Sequence, residues 1–209
     1  MTWEEIIAEV NSDYIALLKL MNYKIKNIGF RMQRFGEVRF SETFHMKTEK
    51  MNDWTVILNI SPFTSEFCFY LKSYDRHGIV AYKISQEGDA FMLVKFNSHF
   101  FKRYRERMNL DIVKPEQVLK HFFKNNMDEK HATSDEYSNG AQLAFFSYQA
   151  GMGVGRYDSE KNVVHMKTFI TKELFNAQQK RMFEFMESEN RNEDVLEVSL
   201  ATQNFTNKF

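Results

Sequence analysis

The sequence contains a single cysteine, Cys68, among its 209 residues, and this scarcity excludes two means of stabilisation. One thiol cannot form an intramolecular disulfide, and a metal site built on cysteine needs more than one. Cys68 lies in an aromatic stretch, where a cysteine most simply acts as a small core residue. Because it alternates with Phe67 and Phe69, a half-exposed position is the alternative. The chain is long enough to be held together by its own buried core.

Long hydrophobic runs are also missing. No stretch of roughly 18 apolar residues occurs, so the sequence predicts no transmembrane helix. The first residues are acidic and amphipathic, and they lack the basic and apolar regions of a signal peptide. We therefore expect a cytoplasmic protein with no membrane partner.

The chain has no net charge, because 28 basic residues balance 28 acidic ones. A neutral chain has no global attraction to nucleic acid, so any attraction must come from local asymmetry. Residues 95–107 carry five basic residues and one acidic residue, whereas residues 184–197 carry six acidic residues and one basic residue. These two segments are the natural places to look for charged partners.

Aromatic residues are abundant, with 21 Phe, 9 Tyr and 2 Trp making up 15% of the chain. We expect their packing to dominate the core. The composition is that of a globular protein. It predicts a single α+β domain over residues 1–188, followed by a polar, loosely ordered tail over 189–209.

The spacing of apolar residues predicts the order of helices and strands. Helical spacing marks residues 2–33, with a break at 11–13 as an alternative, and then 99–108, 115–123 and 172–188, the last capped by Thr171. Short apolar or alternating runs mark strands at 38–46, 54–60, 66–74, 79–84, 90–96, 142–150 and 163–170. The polar residues 125–140 read as a helix end and an exposed loop.

Strands that come in runs favour an α+β fold with antiparallel sheet over a doubly wound parallel fold. The predicted order is N-terminal helices, an antiparallel β-meander, central helices, further antiparallel strands and a C-terminal helix.

The first candidate site is the helix predicted at 99–108. Polar side chains recur every four residues along one side of it: His99, Arg103 and Arg107. The neighbouring stripe is suited to packing: Phe100, Tyr104 and Met108. Imidazole and guanidinium groups on one helix side can bind phosphate. The alternative is a solvated basic face with Arg–Glu pairs.

The second candidate site is the strand at 163–170. Alternation places His165 and Lys167 on one face. The other face then carries Val164, Met166, Thr168 and Ile170. A histidine beside a lysine suits acid–base or phosphate chemistry, and the alternative is an ordinary half-exposed strand.

Other motifs indicate no site. The glycines of 151–155 lack the Lys-Ser/Thr of a phosphate-binding loop and precede a strand, so a close backbone approach or a bulge is the better interpretation. The histidines have no metal-like spacing, and no nucleophile elbow occurs.

Residues 97–170 resemble the barnase/EndoU/colicin/RelE-like group of metal-independent ribonucleases, many of which act as toxins. Three parts carry the resemblance. A His-x-x-x-Arg-Tyr-x-x-Arg helix follows an antiparallel meander, and a Gly-containing strand and a Lys-Thr-Phe-Ile strand come after this helix. The matching residues are His99, Arg103, Tyr104, Arg107, Gly153, Gly155, Lys167, Thr168, Phe169 and Ile170.

The resemblance implies RNA cleavage through the 2′-hydroxyl without metal or cofactor. His99 and His165 are then the acid–base pair, and Arg103 and Arg107 stabilise charge in the transition state. Thr168 is the remaining catalytic residue and holds a phosphate oxygen. The substrate-binding residues are Tyr104, which stacks on a base, Lys102 and Lys167.

Two functional hypotheses remain open from the sequence. The first is this toxin-like ribonuclease with RNA as its partner, for which His99, Arg103, Arg107 and His165 should meet in one cleft. The second is a non-catalytic module that binds a protein partner or forms a homodimer. In it, the acidic C-terminal helix pairs with the basic helix within the fold or across a dimer.

Overall fold

A computed structural model describes residues 3–61, 63–87, 90–127, 129–138 and 141–188. The predicted tail at 189–209 lies outside the described residues. The helices are α1 (Trp3–Phe35), α2 (Ser98–Arg107), α3 (Pro115–Asn125) and α4 (177–188). The strands are β1 (Phe40–Lys47), β2 (Asp53–Ile60), β3 (Ser65–Asp75), β4 (Gly78–Glu87), β5 (Ala90–Phe96), β6 (Lys130–Ser138), β7 (Ala141–Tyr148), β8 (Gly151–Asp158) and β9 (Val163–Thr171). The predicted α+β class is confirmed.

The first helix runs without the break that the polar triplet at 11–13 offered as an alternative. Asp13 lies on the buried side of α1 and is 3% exposed. Its Oδ2 accepts hydrogen bonds from Trp54 Nε1 at 2.9 Å and from Asn52 Nδ2 at 2.8 Å. Because these two side chains satisfy the carboxylate, it does not compete for the backbone N–H groups of α1, and the helix continues.

All nine strands form one sheet in the order β1-β2-β3-β4-β5-β9-β8-β7-β6. Two antiparallel meanders, β1–β5 and β6–β9, are joined where β5 and β9 pair in parallel. The expected all-antiparallel arrangement is therefore wrong at this one junction. The connection through α2 and α3 carries the chain to the far edge before it returns to β9.

The segment predicted as a loop at 125–140 contains the edge strand β6. It pairs with β7, for example through His131 and Phe146, whose rings also stack. A polar sequence is typical of an edge strand, because charged side chains discourage pairing with other chains. Polarity alone therefore made this strand look like a loop.

The last helix also begins later than expected. A short 3₁₀ turn follows β9, and α4 starts after Asn176. Asn176 Oδ1 accepts from the Gln179 N–H at 2.9 Å, and Gln179 Oε1 accepts from the Asn176 N–H at 3.0 Å. This reciprocal capping box replaces Thr171 as the start of the helix.

Helices cover both faces of the sheet. The face under α2 and α3, called the α2 face, carries the aromatic core predicted from composition, which includes Phe96, Phe100, Phe122, Phe146 and Phe169. The opposite face, called the α1 face, packs against α1 over one half and against α4 over the other. Within the described ranges, no helix is both long enough and apolar enough to span a membrane.

The α2 face also buries an ion pair. Lys83 on β4 lies 2.7 Å from Glu129, which precedes β6. Cys68 is 2% exposed on the same side of the sheet, and burial raises its pKa to about 11. Its expected place in the core is confirmed, and a neutral thiol of this kind is a poor nucleophile.

Candidate functional site

The packing stripe of α2 fixes how this helix presents its polar residues. Phe100 and Tyr104 are at most 1% exposed, and Met108 packs against the same core. The helix begins at Asn97, whose Oδ1 accepts from the Phe100 N–H at 2.9 Å. With one side of the helix buried and its start fixed by a cap, the orientation of the remaining side chains is set.

An open cavity of about 600 Å³ lies at the N-terminal end of α2. The β3–β4 turn and the start of α3 complete its walls. It is lined by Asp75, His77, Gly78, Ile79, Asn97, Ser98, His99, Phe101, Lys102, Arg105, Pro115 and Val118. Its size is in the range of small-molecule sites in proteins.

Two histidines face this cavity from different elements, His77 on the β3–β4 turn and His99 on α2. Each is held by an arginine beside it. Arg76 Nε donates to His77 Nε2 at 2.9 Å, and Arg103 Nε donates to His99 Nε2 at 3.4 Å. Because Nε2 is the acceptor in both rings, the proton of each neutral imidazole resides on Nδ1.

Two cations lie beside the histidines. Lys102 and Arg105 line the cavity from the next turn of α2. Lys102 is loosely paired with Glu106 at 4.0 Å, and its side chain is 64% exposed. The ion pair at this distance and exposure is weak, so the ammonium group can bind another anion.

The floor of the cavity is apolar. Ile79, Phe101 and Val118 form it, and each is less than 5% exposed. These three side chains belong to the core, and the groups of the cavity that can contact a ligand are the polar ones at its rim.

One hydrogen bond ties the two walls of the cavity together. Tyr74, next to the turn, donates its hydroxyl to Glu116 Oε1 at the start of α3, at 2.5 Å. This bond lowers the pKa of Glu116 and raises the pKa of Tyr74, because the hydroxyl donates best to an ionised carboxylate.

Arg103 and Arg107, the other two residues of the polar stripe, do not line the cavity. Arg103 spans from His99 to Glu106, whose Oε2 accepts at 3.0 Å. Arg107 reaches β9, where it donates to the Phe169 carbonyl and, at 3.4 Å, to Thr168 Oγ1. Arg107 and Thr168 thus meet, and the guanidinium fastens α2 to the sheet.

Tyr104 does not fit its expected role. Its ring is 1% exposed, so it cannot stack on a base. Its hydroxyl shares a 3.0 Å hydrogen bond with His121 Nδ1, and burial raises its pKa. The packing assignment of Tyr104 is correct and the substrate-binding one is wrong.

His165 lies on the other side of the sheet. Its partner on β5 is Lys95, which alternates with Val94 and Phe96 of the core beneath α2. His165 therefore projects from the α1 face, away from His99. The expected convergence of His99, Arg103, Arg107 and His165 in one cleft is wrong.

A β-bulge also changes the predicted alternation along β9. Gly155 pairs with Met166 and Val154 pairs with Thr168, which leaves Lys167 as the extra residue. Beyond the bulge, Phe169 rather than Thr168 joins the core beneath α2. Ile170, which pairs with Met152 of the cluster beneath α4, thus leaves the face that Val164 and Met166 share.

In the glycine-rich segment the backbones of β8 and β9 approach each other closely, as expected. A side chain at Gly155 would place its Cβ 2.6 Å from the His165 carbonyl oxygen. Gly155 is therefore required for the strand pairing beside the bulge.

Three charged or titratable residues that line the cavity were not selected from the sequence: Asp75, His77 and Arg105. Asp75 and His77 belong to a hairpin turn, where polar residues are ordinary. Arg105 lies on the helix but outside the stripe of His99, Arg103 and Arg107, on which the prediction was based. In the described part of the chain, no three His, Cys, Asp or Glu side chains come together as a metal ion would require.

The described acidic residues of α4 do not pair with α2. Glu187 lies 3.6 Å from Lys130 on β6, and Glu184 lies 4.0 Å from Lys180 in its own helix. The expected pairing of acidic and basic helices within the fold therefore does not occur among these residues.

Comparisons with known protein families, with curated proteins and with solved structures find no match for this chain. Function must therefore be inferred from the geometry and chemistry of the site.

Proposed function

We propose that the protein is a metal-independent ribonuclease of the toxin-like kind and that the cavity at the start of α2 is its active site. The observation that carries the proposal is that His77 and His99 line one open cavity together with Lys102 and Arg105. Cleavage of RNA through its 2′-hydroxyl needs a general base, a general acid and positive charge, and two imidazoles with two cations can supply all three.

The chemistry assigns one step to each group. One imidazole, as general base, takes the 2′-hydroxyl proton while O2′ attacks the phosphorus. The other imidazole, as an imidazolium, gives a proton to the departing 5′-oxygen. The products are a 2′,3′-cyclic phosphate and a free 5′-hydroxyl, and Lys102 and Arg105 stabilise the charge of the intermediate.

His77 takes the place that the sequence assigned to His165. The arginine that donates to Nε2 of the imidazole acting as base, Arg76 for His77 or Arg103 for His99, is a positioning residue. An imidazolium has no acceptor nitrogen, so the hydrogen bond from arginine to the imidazole acting as acid is broken when that ring is protonated.

The test is cleavage of a labelled single-stranded RNA in the presence of EDTA. We expect cleavage by the purified protein and a loss of about 100-fold or more in rate for His77→Ala and for His99→Ala. His45→Ala, an exposed histidine on β1, is the matched control and should keep the full rate.

Two outcomes would overturn the proposal. One is an RNA half-life that is the same with and without the protein. The other is cleavage that both cavity variants retain. For a toxin-like activity, expression of the wild-type protein should slow cell growth, and expression of His99→Ala should not.

A further inference from the structure

A second cluster of basic side chains lies on the α1 face, opposite the cavity. Lys95, His165 and Arg156 are direct neighbours across β5, β9 and β8. Directly paired residues share a face, and adjacent strands are about 4.8 Å apart, so the three side chains fall within about 10 Å of one another. We call Lys95, His165 and Arg156 the basic row.

An aromatic ring stands at one end of the basic row. Tyr82 on β4 pairs with Lys95, whose Nζ lies 5.8 Å from the ring centroid. Lys167 on the bulge of β9 adds a further cation nearby. Burial lowers the pKa of His165, and Lys167 and Lys95 lower it further, which reflects how close these cations lie.

The basic row is open to solvent at its β8 end. Arg156 and Lys167 are exposed, whereas Lys95, His165 and Tyr82 are half-buried. Among the described residues, Asp158 is the carboxylate that acts on His165, and its Oδ2 is bonded to Lys161 at 2.8 Å. The described charges that act on His165 are thus three lysines and one aspartate, in a chain that is neutral overall.

The basic row and the cavity approach the same end of the sheet. Gly78, which lines the cavity, is four residues before Tyr82 on β4, or about 13 Å along the strand. Asn97, at the cavity, follows Lys95 by two residues. A flexible polyanion bound at one place can therefore reach the other around the end of the sheet.

We propose that the basic row binds the phosphate backbone of single-stranded RNA, with Tyr82 as an aromatic platform for a base. Cations that track a backbone beside an aromatic ring are the general means of binding single strands. The inference extends the proposed function from one nucleotide at the cavity to a longer strand. A duplex is disfavoured, because a base cannot contact Tyr82 while it is paired.

The test measures binding separately from cleavage. The probe is a fluorescent, 2′-O-methylated RNA of about ten nucleotides, which cannot be cleaved through its 2′-position. Fluorescence anisotropy should show binding by the wild type. Lys95→Gln/Arg156→Gln should weaken it about tenfold or more, with the salt slope reduced by about 0.7 for each charge removed.

Lys19→Gln/Lys26→Gln on α1 is the control with the same change in charge, and it should bind as the wild type does. Lys167→Gln, at an exposed position, provides a second variant if the double variant folds poorly. The proposal would be overturned if Lys95→Gln/Arg156→Gln and Lys167→Gln bind the probe as the wild type does, or if the wild type does not bind it.

The two proposals can fail separately. If the wild type binds the probe through the basic row but cleaves no RNA, the ribonuclease proposal fails and this inference stands. If the row variants cleave and bind the RNA as the wild type does, the inference fails and the ribonuclease proposal stands. Cleavage of a dinucleotide, too short to reach the row, should be unchanged in every row variant.

Discussion

Lys83 and Glu129 form an ion pair of 2.7 Å, and the side chain of each is more than nine-tenths buried. The pair joins β4 to the chain just before β6, so it connects the two meanders across the α2 face. Tyr148 lies beside it, and its pKa is raised well above its ordinary value by burial and by Glu129.

Removal of one partner of this pair should be strongly destabilising. Lys83→Met leaves the Glu129 carboxylate buried without its cation, and the expected loss in free energy of unfolding is about 3–5 kcal/mol. Urea denaturation measures it. Lys83→Met/Glu129→Leu should recover much of the loss, and a single variant as stable as the wild type would show that the carboxylate has another partner.

Substitution of glycine by alanine should have opposite effects on stability at Gly155 and at Gly29. Gly155→Ala places its Cβ 2.6 Å from the His165 carbonyl, so the strands must separate, and we expect a loss of about 1–3 kcal/mol. Gly29→Ala in α1 meets nothing within 4 Å, and it should stabilise the protein by about 0.5–1 kcal/mol. Thermal denaturation of both variants tests the pair, and equal shifts would contradict the strand geometry.

The stability of the protein should depend on pH through His165. The pKa of His165 is lowered, first by burial and then by Lys167 and Lys95. As the pH falls below the ordinary value near 6.5, the unfolded chain takes up the proton before the folded one does. Stability should therefore fall with pH until the lowered pKa is passed, and be constant below it.

His165→Gln removes this group without adding charge. The variant should show a weaker decline in the free energy of unfolding between about pH 6.5 and pH 5 than the wild type. Urea denaturation at several pH values compares them, with His45→Gln as a control at an exposed position. Parallel curves for wild type and His165→Gln would contradict the placement of His165 beside the two lysines.

The bond between Tyr74 and Glu116 should be lost in acid. The pKa of Glu116 is lowered by the hydroxyl of Tyr74, so the bond is present above the ordinary pKa of a glutamate and is lost as the pH falls through the lowered pKa. Tyr74→Phe should return the pKa of Glu116 toward its ordinary value, as measured by NMR titration of the carboxyl carbon. An unchanged titration would show that the walls of the cavity are not tied there.

Arg107 and Arg103 should differ in their effect on stability. Arg107→Met leaves the Phe169 carbonyl without its donor and should reduce the free energy of unfolding by about 1.5–3 kcal/mol. Arg103→Met removes an exposed pair with Glu106 and should change it by less than about 1 kcal/mol. Denaturation by urea separates the two, and equal losses would contradict the structural role of Arg107.

The elements that the sequence predicted well are those with a strong local pattern. The packing stripe of α2 follows from the spacing of Phe100, Tyr104 and Met108. Of the residues selected as site candidates, His99 and Lys102 line the cavity.

The remainder depended on long-range pairing. His165 was assigned to the same cleft as His99, because nothing local shows that it pairs with Lys95 and projects from the other face. The bulge at Lys167 shifts the alternation of β9 by one residue, and it depends on the partner strand. His77 comes from a turn whose composition is ordinary, so its place beside His99 follows from the fold alone.

The parallel pairing of β5 with β9 joins residues 70 positions apart, such as Leu93 and Val163. Each meander can form from neighbouring strands, but this seam must wait for the whole chain between them. Until it closes, both strands expose free edges of matching register. A nascent chain is thus open to exchange of its C-terminal meander with a second copy, and an entangled dimer formed in this way is the misfolded form to expect during refolding at high concentration.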